Sequence, residues 1–165
     1  MNTTSEDREH LRLSEQVGQQ SNCVSRHVGC VIVKGTAVLS AGWNGVHTSP
    51  ELDCVAGGCP RCRLAETVTG IGYDRCICIH AEQFAIAVAA REGISLKGAT
   101  LYSTLRPCLT CAGNALAAGI ERVVYDRDWH YEDYELERAH DRIRQQFAEF
   151  GQAADAIAVR VPLRN

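Results

Sequence analysis

Two short segments hold the residue types of metal-assisted hydrolysis: His80-Ala81-Glu82 and Pro107-Cys108-Leu109-Thr110-Cys111. Each follows a loop or strand and opens a helix. A helix start presents free backbone N–H groups and the positive end of the dipole, which favour thiolate over thiol. Cys108 and Cys111 are three apart, so both sulfurs face one point from the same first turn. His80, at a second helix start, supplies a third ligand and leaves a fourth position for water. Three protein ligands plus water mark a catalytic zinc rather than a structural one. Glu82 lies two residues beyond His80, within reach of that water without being a ligand, where a carboxylate can shuttle a proton. A Cys-x-x-Cys with a distant His also describes a plain zinc clip. The Glu82 offset, Pro107 and the α-β module between the two segments favour catalysis.

Seven further cysteines make nine in all, in 165 residues with a net charge of −3. The N-terminal MNTTSEDREH lacks the layout of an export signal, so a cytoplasmic protein with free thiols is expected, and an odd count excludes full disulfide pairing. Cys30, inside the apolar run VGCVIV, reads as a small buried side chain. Cys23, Cys54, Cys59, Cys62, Cys76 and Cys78 lie around a Gly- and Pro-punctuated stretch, residues 44–79. A loop of that length needs something to hold it, and structural zinc suits: metal-binding energy offsets ordering entropy. Cys59-Pro60-Arg61-Cys62 has knuckle-like spacing; which of the six hold metal the spacing leaves open. At 45% hydrophobic and 22% charged residues the composition is globular. The acidic balance argues against a nucleic-acid partner, and no apolar run approaches the ~18 residues of a membrane span.

The elements that must position these residues follow from period and punctuation. Residues 5–20 read as a helix, and 28–43 as two strands around Lys34-Gly35. A Cys-rich insertion at about 45–79 follows. Ala81, Phe84, Ala85 and Val88 mark a helix ended by Gly93; 99–105 is a strand; Pro107 to Ala118 is a helix stopped by Gly119; 121–125 is a strand. Leu136, Ala139, Ile143, Phe147 and Phe150 predict a long helix from Tyr134 to Phe150, with ERAHDRIRQQ as a solvated face. AIAVRV (156–161) is the last strand. The alternation implies one α/β domain over residues 1–165, a three-layer α/β/α sandwich with a mixed five-stranded sheet.

His-x-Glu followed by Pro-Cys-x-x-Cys resembles the zinc-dependent cytidine/deoxycytidylate deaminase superfamily, and most of all its deoxycytidylate (dCMP) branch. HAEQFAIAVAAREGISLKGATLYSTLRPCLTCAGNALAAGIERVVY is similar throughout, and SNCVSRHVGCVIV and SAGWNG resemble the branch's first strand and its Gly-aromatic-Asn-Gly turn. The likeness covers about residues 20–130. It implies a cytidine deaminase-like fold, His80, Cys108 and Cys111 as zinc ligands, and Glu82 as proton shuttle in hydrolytic attack on an amino-bearing ring carbon. Asn44 would hydrogen-bond base or sugar, the alternative being a hairpin residue suited to left-handed geometry, and the Ala81 carbonyl would meet the substrate amino group. Phage-type relatives are similar in having a second, structural zinc, with Cys23, Cys54 and Cys78 at the matching positions and Cys59, Cys62 and Cys76 competing for the fourth. Arg106 departs from the family pattern: it would meet a substrate phosphate or stand as a solvated strand end. Pro50 is displaced from its place after Asn44-Gly45. Trp129, His130 or Tyr131 would stack on a base, line the pocket or simply pack. The implied partner is a small nucleotide, dCMP first, with another small aminated heterocycle as the alternative and a non-catalytic zinc scaffold behind both. A homo-oligomer is expected.

Overall fold

The computed structural model describes residues 3–47, 54–62 and 75–153. Helix α1 (Ser5–Gly18) opens on a capping box: the Thr4 hydroxyl accepts from the Asp7 amide at 3.1 Å, and the Asp7 carboxylate accepts from the Thr4 amide at 2.9 Å. Two donors that a helix start leaves open are thereby satisfied. Strands β1 (Gly29–Lys34) and β2 (Ala37–Trp43) form an antiparallel hairpin whose turn uses Gly35 at φ 60°, a conformation that suits glycine. Then come α2 (Ala81–Arg91), β3 (Thr100–Leu105), α3 (Leu109–Ala117), β4 (Arg122–Arg127), α4 (Tyr134–Arg144) and β5 (Glu149–Gln152).

The strands lie in the order β2-β1-β3-β4-β5. β1 is antiparallel to both β2 and β3, while β3-β4 and β4-β5 are parallel, each parallel pair joined through a helix as such a crossover requires. Alternation along β1 sends Cys30 and Ile32 to one face and Val31 and Val33 to the other. The first pair packs with Ala85 and Ala89 of α2, Ala112 and Ala115 of α3, and Ile143 of α4; the second packs with Leu11 of α1, Tyr102 and Val124. One helix covers one face and three cover the other, the sandwich expected from sequence. The α1 backbone comes so close to β1 that a Cβ on Gly29 would stand 1.9 Å from the Ser14 carbonyl oxygen. Cys30 is fully buried, as expected.

The C-terminal part departs from the sequence reading. Helix α4 ends at Arg144, not Phe150, and the last described strand is residues 149–152; 156–161 lie outside the described residues. Phe147 and Phe150 do pack on the core, but from a turn and a strand. The open edge of β4 decides this: the Ala148 amide donates to the Glu121 carbonyl and the Ala153 amide to the Tyr125 carbonyl, both at 2.9 Å. Nor is the α4 charged run wholly solvated, because His140 is fully buried within it. Among the described residues no helix is long and apolar enough to cross a membrane.

Candidate active site

The two motif segments meet beyond the carboxyl end of β3. After Leu105 the chain passes through Arg106 and Pro107 into α3, with Cys108 as N-cap; α2 starts alongside with His80 as N-cap. Gly42 of β2 lets the first turn of α2 reach the sheet, since a Cβ there would stand 2.4 Å from the Ala81 oxygen. His80 Nδ1 is 3.5 Å from Cys108 Sγ and 3.4 Å from Cys111 Sγ, and the three donor atoms lie within 4.8 Å of one another. Tetrahedral zinc with Zn–N of about 2.0 Å and Zn–S of about 2.3 Å has an N···S edge of about 3.5 Å, so the triad fits that ion. The Cys108 thiol is drawn down to about 4 by its hydrogen bond with Cys111, against desolvation, with His80 assisting. Burial opposes charge on His80, but the Cys108 sulfur holds it up at about 9.

Glu82 is buried, and its Oε1 accepts from the Ser103 hydroxyl at 3.1 Å. Burial lifts its pKa; His80 opposes and the charge on Cys108 adds to the rise. A carboxyl group lifted in this way, at a cleft, is suited to carrying a proton. Ser103 was not foreseen; its signal was a hydroxyl in the middle of the apolar strand TLYSTL.

A pocket of about 610 Å³, its open mouth included, runs from His80, Glu82 and Cys108 past Asn44 and Trp129 to Arg61. Ala81 and Arg106 also line it, so Asn44, Ala81, Arg106 and Trp129 border one cavity, whereas His130 and Tyr131 are not among its lining residues. Asn44 is buried and uses its amide locally: Oδ1 accepts from the Val28 amide at 2.7 Å and Nδ2 donates to the Arg26 carbonyl at 2.9 Å. It fastens the 26–28 segment to the turn, and its φ is not positive, which removes the left-handed explanation. The Ala81 carbonyl follows the helix axis and lies against Gly42.

Arg106 corrects the reading of a solvated strand end, being only 2% exposed. Its Nη1 donates to the Trp129 carbonyl, and its Nη2 donates at 2.7 Å both to Glu137 and to His140 Nδ1. The opposite ring nitrogen of His140 donates to the Pro107 carbonyl at 2.9 Å. Arginine cannot accept and a carbonyl cannot donate, so the imidazole is neutral with the proton on Nε2. The Trp129 indole donates to the Arg106 carbonyl at 2.7 Å, and the Tyr131 hydroxyl accepts from the Leu109 amide at 2.9 Å. The segment that carries Cys108 is thus tied down from four sides. His140 and Glu137 were missed by the sequence reading; the available signal was that His140 lies between Leu136 and Ile143 on the apolar stripe of α4.

All six remaining cysteines converge. Cys23, Cys54, Cys59 and Cys78 are buried, with Cys62 and Cys76 packed against them. A hydrogen bond from Cys78 draws the Cys23 thiol down to about 5, against burial, and does the same for Cys76, at about 6.

Residues 4–127 match the family model described as the cytidine and deoxycytidylate deaminase zinc-binding region. The chain is 36% identical over 138 residues to the deoxycytidylate deaminase of Schizosaccharomyces pombe, covering 82% of this chain and 42% of that one. It is 38% identical over 129 residues to the deoxycytidylate deaminase of Mycobacterium phage D29, covering 74% and 94%. It therefore spans about two fifths of the yeast relative but nearly all of the phage one. The solved structure of cyanophage S-TIM5 dCMP deaminase in complex with dCMP and dUMP superposes with a TM-score of 0.68 at 27% identity, over 92% of this chain and 99% of that one. Motif, fold and site geometry agree with these matches, and the chain belongs to the cytidine and deoxycytidylate deaminase zinc-binding family.

Proposed function

We propose that the protein hydrolyses the exocyclic amine of a pyrimidine nucleotide, converting dCMP and water to dUMP and ammonia. The observation that carries this reading is the buried Glu82, held by Ser103 beside the His80–Cys108–Cys111 triad in a pocket that Asn44 and Trp129 also line. The dCMP and dUMP seen in the cyanophage relative support the substrate class. The three triad residues would hold zinc, which when bound would supply Lewis acidity and lower the pKa of water toward about 7. Glu82 accepts a proton from the attacking water and delivers it to the ring nitrogen. It then takes the second proton from the newly added hydroxyl as that becomes the carbonyl, and passes it to the departing amine, which leaves as ammonia. Asn44 holds the pocket rim for base or sugar, and Trp129 forms a wall. Arg26 and Arg61 line the pocket and bring positive charge for the phosphate. Arg106, with its two terminal nitrogens on Trp129, Glu137 and His140, positions the ligand-bearing segment. One domain, a structural metal site in the cysteine loop, a homo-oligomeric assembly and a cytoplasmic setting belong to the same reading.

Ammonia release from dCMP, dCTP, cytidine, cytosine, adenosine and guanine tests it. Turnover is expected with dCMP, and Arg61→Ala is expected to raise KM for dCMP while leaving that for deoxycytidine unchanged. Release from a different member alone overturns the substrate. Release from none overturns the enzyme and favours a zinc scaffold.

A further inference from the structure

The six loop cysteines outnumber the ligands of one zinc ion, and their packing accounts for the surplus. The sulfurs of Cys23, Cys54 and Cys78 lie within 4.8 Å of one another, as do those of Cys54, Cys59 and Cys62, and those of Cys59, Cys76 and Cys78. Cys54, Cys59 and Cys78 each belong to two of these triads and are mutually within the same distance; Cys23, Cys62 and Cys76 each belong to one. This is one continuous sulfur patch, not a four-ligand site with two bystanders. Two separations, 3.5 Å for Cys54–Cys62 and 4.0 Å for Cys59–Cys76, bracket the S···S edge of about 3.8 Å in a zinc tetrathiolate with Zn–S of about 2.3 Å. In a [4Fe–4S] cluster each cysteine binds a different iron, so its cysteine sulfurs stand farther apart.

Coordination number limits how many ions such a patch holds. A closed structural zinc takes four ligands. One ion leaves two patch thiols unused; three ions need more sulfurs than six can supply, even with three bridging. Two ions require eight coordination positions, and six thiolates fill them when two are shared. We propose that Cys23, Cys54, Cys59, Cys62, Cys76 and Cys78 hold two zinc ions in a thiolate-bridged centre, the bridging sulfurs being drawn from Cys54, Cys59 and Cys78. Backbone amides of Ser25 and Arg26 hydrogen-bond to the Cys23 sulfur, and that of Val24 to Cys54. Those donors stabilise thiolates. Arg61, 7% exposed, sits inside the centre's own Cys59–Cys62 turn and on the pocket wall, so the centre also fixes one side of the pocket.

Native mass spectrometry of the purified protein tests the count without turnover, and so independently of the deaminase reading. Three zinc ions per chain are expected, two in the centre and one in the His80 triad, with Cys111→Ser retaining two; a count of one or none in Cys111→Ser overturns the proposal. Cobalt loading tests the bridge. A magnetic moment per cobalt below that of isolated ions is expected in Cys111→Ser, and the full uncoupled moment overturns it. Cys62→Ser and Cys76→Ser are each expected to reduce the loop's sulfur-to-cobalt charge-transfer absorption. Either variant leaving it unchanged marks that residue as a bystander and overturns the six-thiolate assignment.

Discussion

The His80 triad and the cysteine loop both gather soft donors around a point, yet they are built in opposite ways. The triad stands on the first turns of α2 and α3, helices locked to the sheet through Ala85, Ala89, Ala112 and Ala115, and its cysteine segment is tied down by Arg106, Trp129, Tyr131 and His140. The loop sulfurs come from stretches around residues 23, 54–62 and 76–78, where turns replace regular elements, and their main apolar company is one another. In the first case the fold places the ligands; in the second the ligands place the chain. Metal removal is therefore expected to cost the triad its chemistry and the loop its structure.

Cys59 sharpens this contrast most. Being fully buried and shared between two sulfur triads, it is essential to the loop, and Cys59→Ser should release metal and melt the 54–62 segment. Zinc binding in small modules is worth ~10–16 kcal/mol, so a loss of several kcal/mol is expected. Cys111→Ser should instead abolish turnover with little change in Tm. Thermal melts with zinc analysis check both, and equal Tm losses would erase the distinction. Next is His140→Ala, which strands the Pro107 carbonyl and one Arg106 nitrogen; about 2–4 kcal/mol in urea unfolding, with a reduced kcat, is expected. On the opposite face Asp7, which accepts from Arg122 Nη2 at 3.0 Å and from the Tyr102 hydroxyl at 2.8 Å, provides a control. Asp7→Asn should cost about 2 kcal/mol and leave kcat unchanged.

Acid should weaken the Arg106 cluster in two stages, with a smaller effect. Burial, and then Arg106, hold the His140 pKa below its ordinary value. A histidine so depressed contributes stability that is present above its unfolded pKa, about 6.5, and is lost as pH falls below it. Glu137 is held at about 2: burial opposes this, but hydrogen bonds from Arg106 and His130 prevail. Its contribution is present above about 4.3 and is lost as pH falls toward 2. Urea midpoints between pH 8 and 3 should fall first below about 6.5 and again below about 4.3; in His140→Ala the first step should vanish.

The catalytic triad was legible in the sequence because its chemistry is local: a helix start, a three-residue cysteine spacing and a two-residue Glu82 offset. The sheet and helices up to β4 were legible for similar reasons, from short-range period and Gly or Pro punctuation. The loop cysteines were legible as a group but not as an arrangement, since residues far apart in sequence set their packing. What failed was decided at long range. The Arg106–His140 contact joins residues 34 apart, and nothing near either one marks the other. Glu149–Gln152 has little β propensity and becomes a strand because β4 offers it an edge, while Phe147 and Phe150 continue a helical period that the chain has already left.

The decisive measurement is kcat for dCMP in Glu82→Gln, taken together with zinc content and Tm. If the buried carboxylate carries the proton from water to ring nitrogen and amine, kcat falls by about 10²–10⁴-fold while metal and Tm stay at wild-type values. A variant that keeps its zinc and turns dCMP over within a few-fold of wild type would contradict that role for Glu82.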